Sequence, residues 1–198
     1  MRWFLIAIIS LSLGCKSSEE QLPILSYTIN NSGDKEYYTI SYEEGVFKNQ
    51  LGQDFTTQNI QGKIVLANFF FTRCPSICPP MRNALIDIAK NVLETENFLL
   101  ISHTIDPKSD TAEVLKAYAE ATGVSNNQWQ FLRASEEQTK AQAKQFMTNF
   151  RPNEDGTDFY HSSYVALVDE DQNIRGFYNV LVQDDLSRLK KDLNRFLN

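Results

Sequence analysis

The chain has 198 residues, of which 42% are hydrophobic, and its 19 basic and 25 acidic side chains give a formal net charge of −6. That length and apolar fraction suffice for one sizeable core and call for no second domain. The acidic balance argues against nucleic acid as a partner and suits a protein domain or a metal ion better.

At the start, Arg2 precedes the apolar run Trp3 to Ile9, and Leu11-Ser12-Leu13-Gly14-Cys15 follows. Residues 1–14 therefore read as a secretory signal ending in a lipobox, with Cys15 as the lipidated residue, the alternative being an uncleaved N-terminal anchor. The apolar stretch is well short of the ~20 residues that a spanning helix requires. Both readings place the folded part outside the cytoplasm, on the periplasmic side of a bacterial membrane and tethered to it. Residues 15–30, which include the polar run Lys16 to Pro23, are expected to be the lipidated cysteine and a flexible tether, and residues 31–198 the folded domain.

Tyr37 to Tyr42 alternates and reads as a strand of an N-terminal hairpin. Ile64 to Phe71, rich in β-branched and aromatic residues, predicts a strand buried on both faces. After it the period changes. Met81, Leu85, Ile88, Ala89 and Val92 fall at helical spacing, which predicts a helix from about Pro79 to Glu94, with Pro79 and Pro80 in the first turn, where a missing N–H costs little. Between strand and helix stand Cys74 and Cys78, four apart. The helix dipole and free first-turn amides favour thiolate there, and the Arg73 cation beside Cys74 pushes the same way. A structural disulfide at this place would close a loop of a few residues, where bridges gain least, so the position argues for chemistry.

Phe98 to Ile105 reads as the next strand. Asp110-Thr111 caps a helix that runs to about Thr122 and ends at Gly123. Trp129 to Leu132 is a short strand, and Ser135 with Gln138 has the pattern of a capping box opening a helix to about Met147. Arg151 to Tyr160 is turn-rich and reads as irregular. Tyr164 to Asp169 and Ile174 to Tyr178 form a terminal hairpin through Glu170 to Asn173, and the helix from about Asp184 to Leu197 places Leu186, Leu189, Leu193, Phe196 and Leu197 on one face. This order gives an α/β fold with a central mixed sheet flanked by helices. In such sheets sites gather at the carboxyl ends of strands, where the cysteine loop lies.

Three segments carry a resemblance. Thr72 to Pro79 is similar to the TxCPxxCP signature of the Sco/SenC family. Asp106-Pro107 followed by Asp110-Thr111 and the helix residues Val114 to Tyr118 is similar to its DPxxDT segment, and His161-Ser162-Ser163 ahead of Tyr164 resembles its HS motif. The resemblance spans roughly residues 50 to 197 and implies a thioredoxin-like fold with an N-terminal β-hairpin and family insertions. It implies further that the protein delivers copper to the CuA site of cytochrome c oxidase. Cys74, Cys78 and His161 would hold one ion, Cu(I) or Cu(II), and the two cysteines would also form a redox pair. Two thiolates and an imidazole suit copper in either state. The implied partners are the CuA-bearing subunit or another copper acceptor, the membrane, and a thiol reductase.

In thioredoxin-like reductases the loop before this last hairpin usually carries a cis-proline against the dithiol, whereas here His161-Ser162-Ser163 stand in its place. Tyr160, with Asp158 two residues before the histidine, stands where family members often have an acidic residue. Asp106 reads either as a carboxylate just outside the ligands or as an ordinary turn residue before proline. His103 reads as a spare ligand or as a packed strand residue. A thiol-disulfide oxidoreductase that reduces target cysteines without carrying metal is the alternative function.

Overall fold

The computed structural model describes residues 21–91, 97–154 and 158–197. The expected signal, the lipidated Cys15 and the helix end at 92–94 lie outside the described residues. Among those described, no helix is long and apolar enough to cross a membrane.

In chain order, β1 (Tyr27–Ile29) and β2 (Lys35–Tyr37) form one antiparallel hairpin, and β3 (Phe47–Lys48) and β4 (Asp54–Phe55) form another. Then come β5 (Ile64–Phe70), α1 (Cys78–Asn91), β6 (Phe98–Thr104), α2 (Ala112–Glu120), β7 (Trp129–Leu132) and α3 (Glu136–Gln145). A short ladder of β8 (Arg151–Pro152) with β9 (Phe159–Tyr160) leads to β10 (Tyr164–Val168), β11 (Ile174–Asn179) and α4 (Gln183–Leu197). The five-stranded sheet has the order β11-β10-β5-β6-β7, with β5, β6 and β7 parallel, β10 antiparallel to β5, and β11 antiparallel to β10.

All seven residues of β5 and of β6 are buried, as a parallel pair covered on both faces requires. One face of β5, through Asn68 and Phe70, lies against Cys78, Met81 and Leu85 of α1. On the other face Phe69 packs edge-on against Phe146, just past α3. Sequence signals set the helix starts. Ser135 accepts from Gln138 N–H while the Gln138 side chain returns to Ser135 N–H, closing the expected capping box. The cap of α2 is Thr111 alone, which accepts from Val114 N–H; Asp110 is engaged elsewhere.

Three expectations are corrected. Tyr37 to Tyr42 is not a strand beyond Tyr37: Ile40 and Tyr42 insert into the core, so their alternation reports burial, while their N–H groups bond to Gln172 O and Thr57 Oγ1. The tether does not extend to residue 30. Leu22 and Leu25 pack against the core, Leu25 N–H donates to Ile174 O on the rim of β11, and Ser26 is buried, so the apolar pair draws the chain onto the sheet edge ahead of β1. Arg151 to Tyr160 is less irregular than its turn residues suggest, because both its ends pair as β8 and β9; residues 155–157 lie outside the described residues.

Gly176 in β11 answers to packing. A Cβ there would lie 2.6 Å from the Cε2 and Cζ atoms of Tyr178 and close to its hydroxyl. The ring has no room to retreat, being fully buried with its hydroxyl donating to Asp192 Oδ2 at 2.8 Å. Gly176→Ala is expected to lower the unfolding free energy in urea by about 1–3 kcal/mol, the usual cost of overpacking. An unchanged urea midpoint would show that the ring can move.

Candidate metal centre

The site begins where β5 ends. The chain leaves the sheet at Phe71, Cys74 N–H donates to Phe71 O at 3.3 Å in a turn, and Cys78 opens α1. Cys78 N–H, one of the amides without a partner inside the helix, points at Cys74 Sγ at 3.4 Å. From the other side, the β9–β10 loop brings His161. Its Nε2 lies 3.9 Å from Cys74 Sγ and 3.7 Å from Cys78 Sγ. The two thiols are free, and the three donor atoms all lie within 4.8 Å of one another.

Packing and hydrogen bonding aim the imidazole. Nδ1 faces Ser162 O at 3.3 Å, and a carbonyl only accepts, so Nδ1 carries the proton and the Nε2 lone pair turns to the sulfurs. Phe71 meets the imidazole edge-on at 5.6 Å between centroids and meets Phe159 of β9 at 5.1 Å, so the hairpin bearing the histidine is seated on the strand that delivers the cysteines.

The thiols differ in electrostatics. Burial pushes Cys74 up, but hydrogen bonds from the Cys78 thiol, from the Ser76 and Cys78 amides and from the Ser76 hydroxyl outweigh it and leave Cys74 below the usual thiol range. Cys78 is held well above that range, chiefly by burial. His161 is lowered, again by burial, and is neutral at pH 7. The expected contribution of Arg73 is corrected here: its guanidinium turns away to Asp106, with Nη2 2.6 Å from Oδ2, and the amides and hydroxyl of the turn take over its role.

Of the residues singled out in the sequence, Cys74, Cys78 and His161 come together, and Asp106 stands behind Arg73. It is buried, accepts from Ser109 N–H and from Arg73, and these donors hold its carboxyl below the ordinary range against the upward push of burial. His103 does not join the cluster. It lies fully buried in β6, its Nδ1 donating to Asn68 O at 3.2 Å and its Nε2 accepting from the Tyr42 hydroxyl at 2.9 Å, with Phe69 stacked on it at 4.6 Å. Sequence reasoning missed Asp110, which bonds to Thr72 two residues before Cys74. An Asp-Thr pair ahead of a helix reads as a cap, and that reading concealed it.

The donor set fits one soft or borderline first-row ion. Donors bonded to a common ion at roughly 2.0–2.3 Å stand about 3.5–4 Å apart, the spacing of both sulfur–nitrogen pairs here. Two thiolates and a neutral imidazole are ligands that copper and zinc accept and that magnesium or calcium do not.

The sheet order, the dithiol at the β5–α1 junction and the imidazole facing it define a thioredoxin-like protein with a Cys2His cluster in place of a bare redox pair. The chain belongs to the SCO1/SenC family, whose sequence pattern matches residues 39–198. A SCO1 protein homolog of Bacillus subtilis is 32% identical over 141 residues, covering 69% of this chain and 72% of the relative. A SCO1/SenC family lipoprotein from Bacillus anthracis superposes with a TM-score of 0.72 at 26% identity, over 81% of this chain and 96% of the other. BsSco, described as a member of the Sco family of cytochrome c oxidase assembly proteins, gives 0.71 at 25% identity over 90% and 99%.

Proposed function

We propose that this chain is a membrane-tethered copper carrier, exported and anchored through lipidated Cys15, which takes one copper ion as cargo on Cys74, Cys78 and His161. It would pass that ion to the CuA-bearing subunit of a cytochrome c oxidase or to another copper acceptor. The observation that carries the reading is the convergence of two sulfurs and one aimed imidazole nitrogen within 4.8 Å. A thiol-disulfide exchanger needs the sulfurs and does not need the nitrogen. Exchange of the two thiolates with a disulfide oxidant such as oxidised glutathione joins Cys74 to Cys78, passes two electrons to the oxidant, removes two of the three donors and releases the cargo.

The test is copper stoichiometry of the full chain purified in detergent, first with the thiols reduced and then after oxidation. One ion per reduced chain, with thiolate-to-Cu(II) charge-transfer absorption that vanishes on oxidation, is the expected result. A reduced protein that retains no copper through gel filtration would sink the proposal.

A second reading draws on one observation. A Cys74 thiol below the usual range beside a Cys78 thiol above it is the asymmetry of an attacking and a resolving cysteine. Undiminished disulfide exchange in His161→Ala, with no copper in the wild type, would establish a reductase instead.

A further inference from the structure

We infer that Asp110 is a positioning residue for the dithiol, acting through Thr72 to set the path of the chain into Cys74. Its side chain is fully buried, yet it caps no helix, since Thr111 does that. Asp110 Oδ2 accepts Thr72 N–H at 3.1 Å and Oδ1 accepts the Thr72 hydroxyl at 2.5 Å; the Thr104 hydroxyl at the end of β6 also donates to Oδ2. Three donors converge on one carboxylate. A buried carboxylate is costly unless such donors surround it, so its place here is tied to the strand end and turn that supply them.

The loop that carries Asp110 is itself fixed. Asp110 N–H donates to Asp106 O at 2.9 Å, Asp106 N–H donates to Thr104 Oγ1 at 3.1 Å, and Arg133 holds Pro107 O through Nε and Nη2 at 3.1 and 2.9 Å. From this block Asp106 grips Arg73 while Asp110 grips Thr72. Both residues immediately before Cys74 are therefore held by carboxylates from one rigid loop. Cys78 is held as the first residue of α1, with its N–H on Cys74 Sγ, so the distance between the two sulfurs depends on where the loop places Cys74.

The inference rests on the copper-carrier reading only for the affinity measurement; the dithiol measurement needs no metal. Asp110→Asn keeps the volume but removes the charge and replaces an acceptor oxygen with a donor, so the three donors must share one oxygen or a hydroxyl must turn to accept. Thr72→Val removes the hydroxyl at nearly constant shape, and Thr72→Ser restores it. The full chain in detergent would be equilibrated with oxidised glutathione, each Cys74–Cys78 disulfide formed yielding two reduced glutathiones. Asp110→Asn and Thr72→Val are each expected to shift this equilibrium constant by about threefold or more and to weaken copper binding by about 10-fold or more, as removal of a group orienting a ligand does. The double variant is expected to do no more than the stronger single one, and Thr72→Ser to return to wild type.

A dithiol equilibrium within twofold of wild type in folded single variants overturns the inference, as do strictly additive effects in the double variant. If Asp110→Asn fails to fold, Thr72→Val against Thr72→Ser makes the same comparison. A wild type that binds no copper overturns the carrier reading alone, and the glutathione equilibrium still decides on Asp110.

Discussion

Replacing His161 by alanine is expected to weaken copper binding by more than about 100-fold, at least ~2.7 kcal/mol, while His103→Ala leaves it within about threefold. The first figure follows from what His161 supplies. It is the one nitrogen in the cluster, with Nε2 3.7 and 3.9 Å from the sulfurs, and its tautomer and ring plane are set in advance by Ser162 O and Phe71. Removing a group that merely orients a ligand costs 10- to 100-fold in metal affinity, so removing the ligand itself costs more. His103 is a control of the same residue type, buried in β6 with both ring nitrogens committed to Asn68 and Tyr42. Competition titration of the reduced protein against a Cu(I) chelator of known affinity would measure both variants. Equal losses would dissolve the assignment, since two histidines so differently placed cannot serve one ion alike.

How far the sequence displays this arrangement depends on the range of each interaction. The strand, turn and helix around Cys74 and Cys78 are legible because an apolar run of period 2 or less gives way to a helical period within a dozen residues. The link to His161 is not legible in this way. It spans 83 and 87 positions, and nothing in the spacing separates a loop histidine that reaches the dithiol from one that faces solvent; only the resemblance of the His161-Ser162 segment supplied it. Arg73 shows the reverse hazard, in which adjacency in sequence suggested a cation on Cys74 while the guanidinium reaches Asp106, 33 residues away. Asp110 was hidden because local chemistry offered a complete explanation as a cap. Tyr38 to Tyr42 was misread for a related reason: alternation marks alternate burial, and a chain crossing the end of a sheet produces it as readily as a strand does.

His103 also sets an acid limit on the fold. It is enclosed by Tyr42, Phe47, Phe69 and Phe146, and burial pushes its pKa down from 6.5 to about 4. A histidine that is harder to protonate when folded binds more protons when unfolded, so unfolding takes up a proton between pH 4 and 6.5 and stability rises with pH across that window. The contribution of His103 is fully present above pH 6.5 and is lost as the pH falls toward 4, amounting to about 3 kcal/mol over the shift. Protonation would also put a donor on Nε2, so that the Tyr42 hydroxyl, which donates to it when His103 is neutral, would have to turn and accept. His161 is lowered as well, so the measurement belongs in a His161→Ala background, where His103 is the remaining imidazole. Near pH 5.5, above the range where carboxylates titrate heavily, unfolding of that variant is expected to take up close to one proton through His103, as read from the pH dependence of its urea-unfolding free energy. Adding His103→Gln should remove most of that slope. If the slope persists in the double variant, the acid sensitivity lies with the carboxylates and His103 titrates freely.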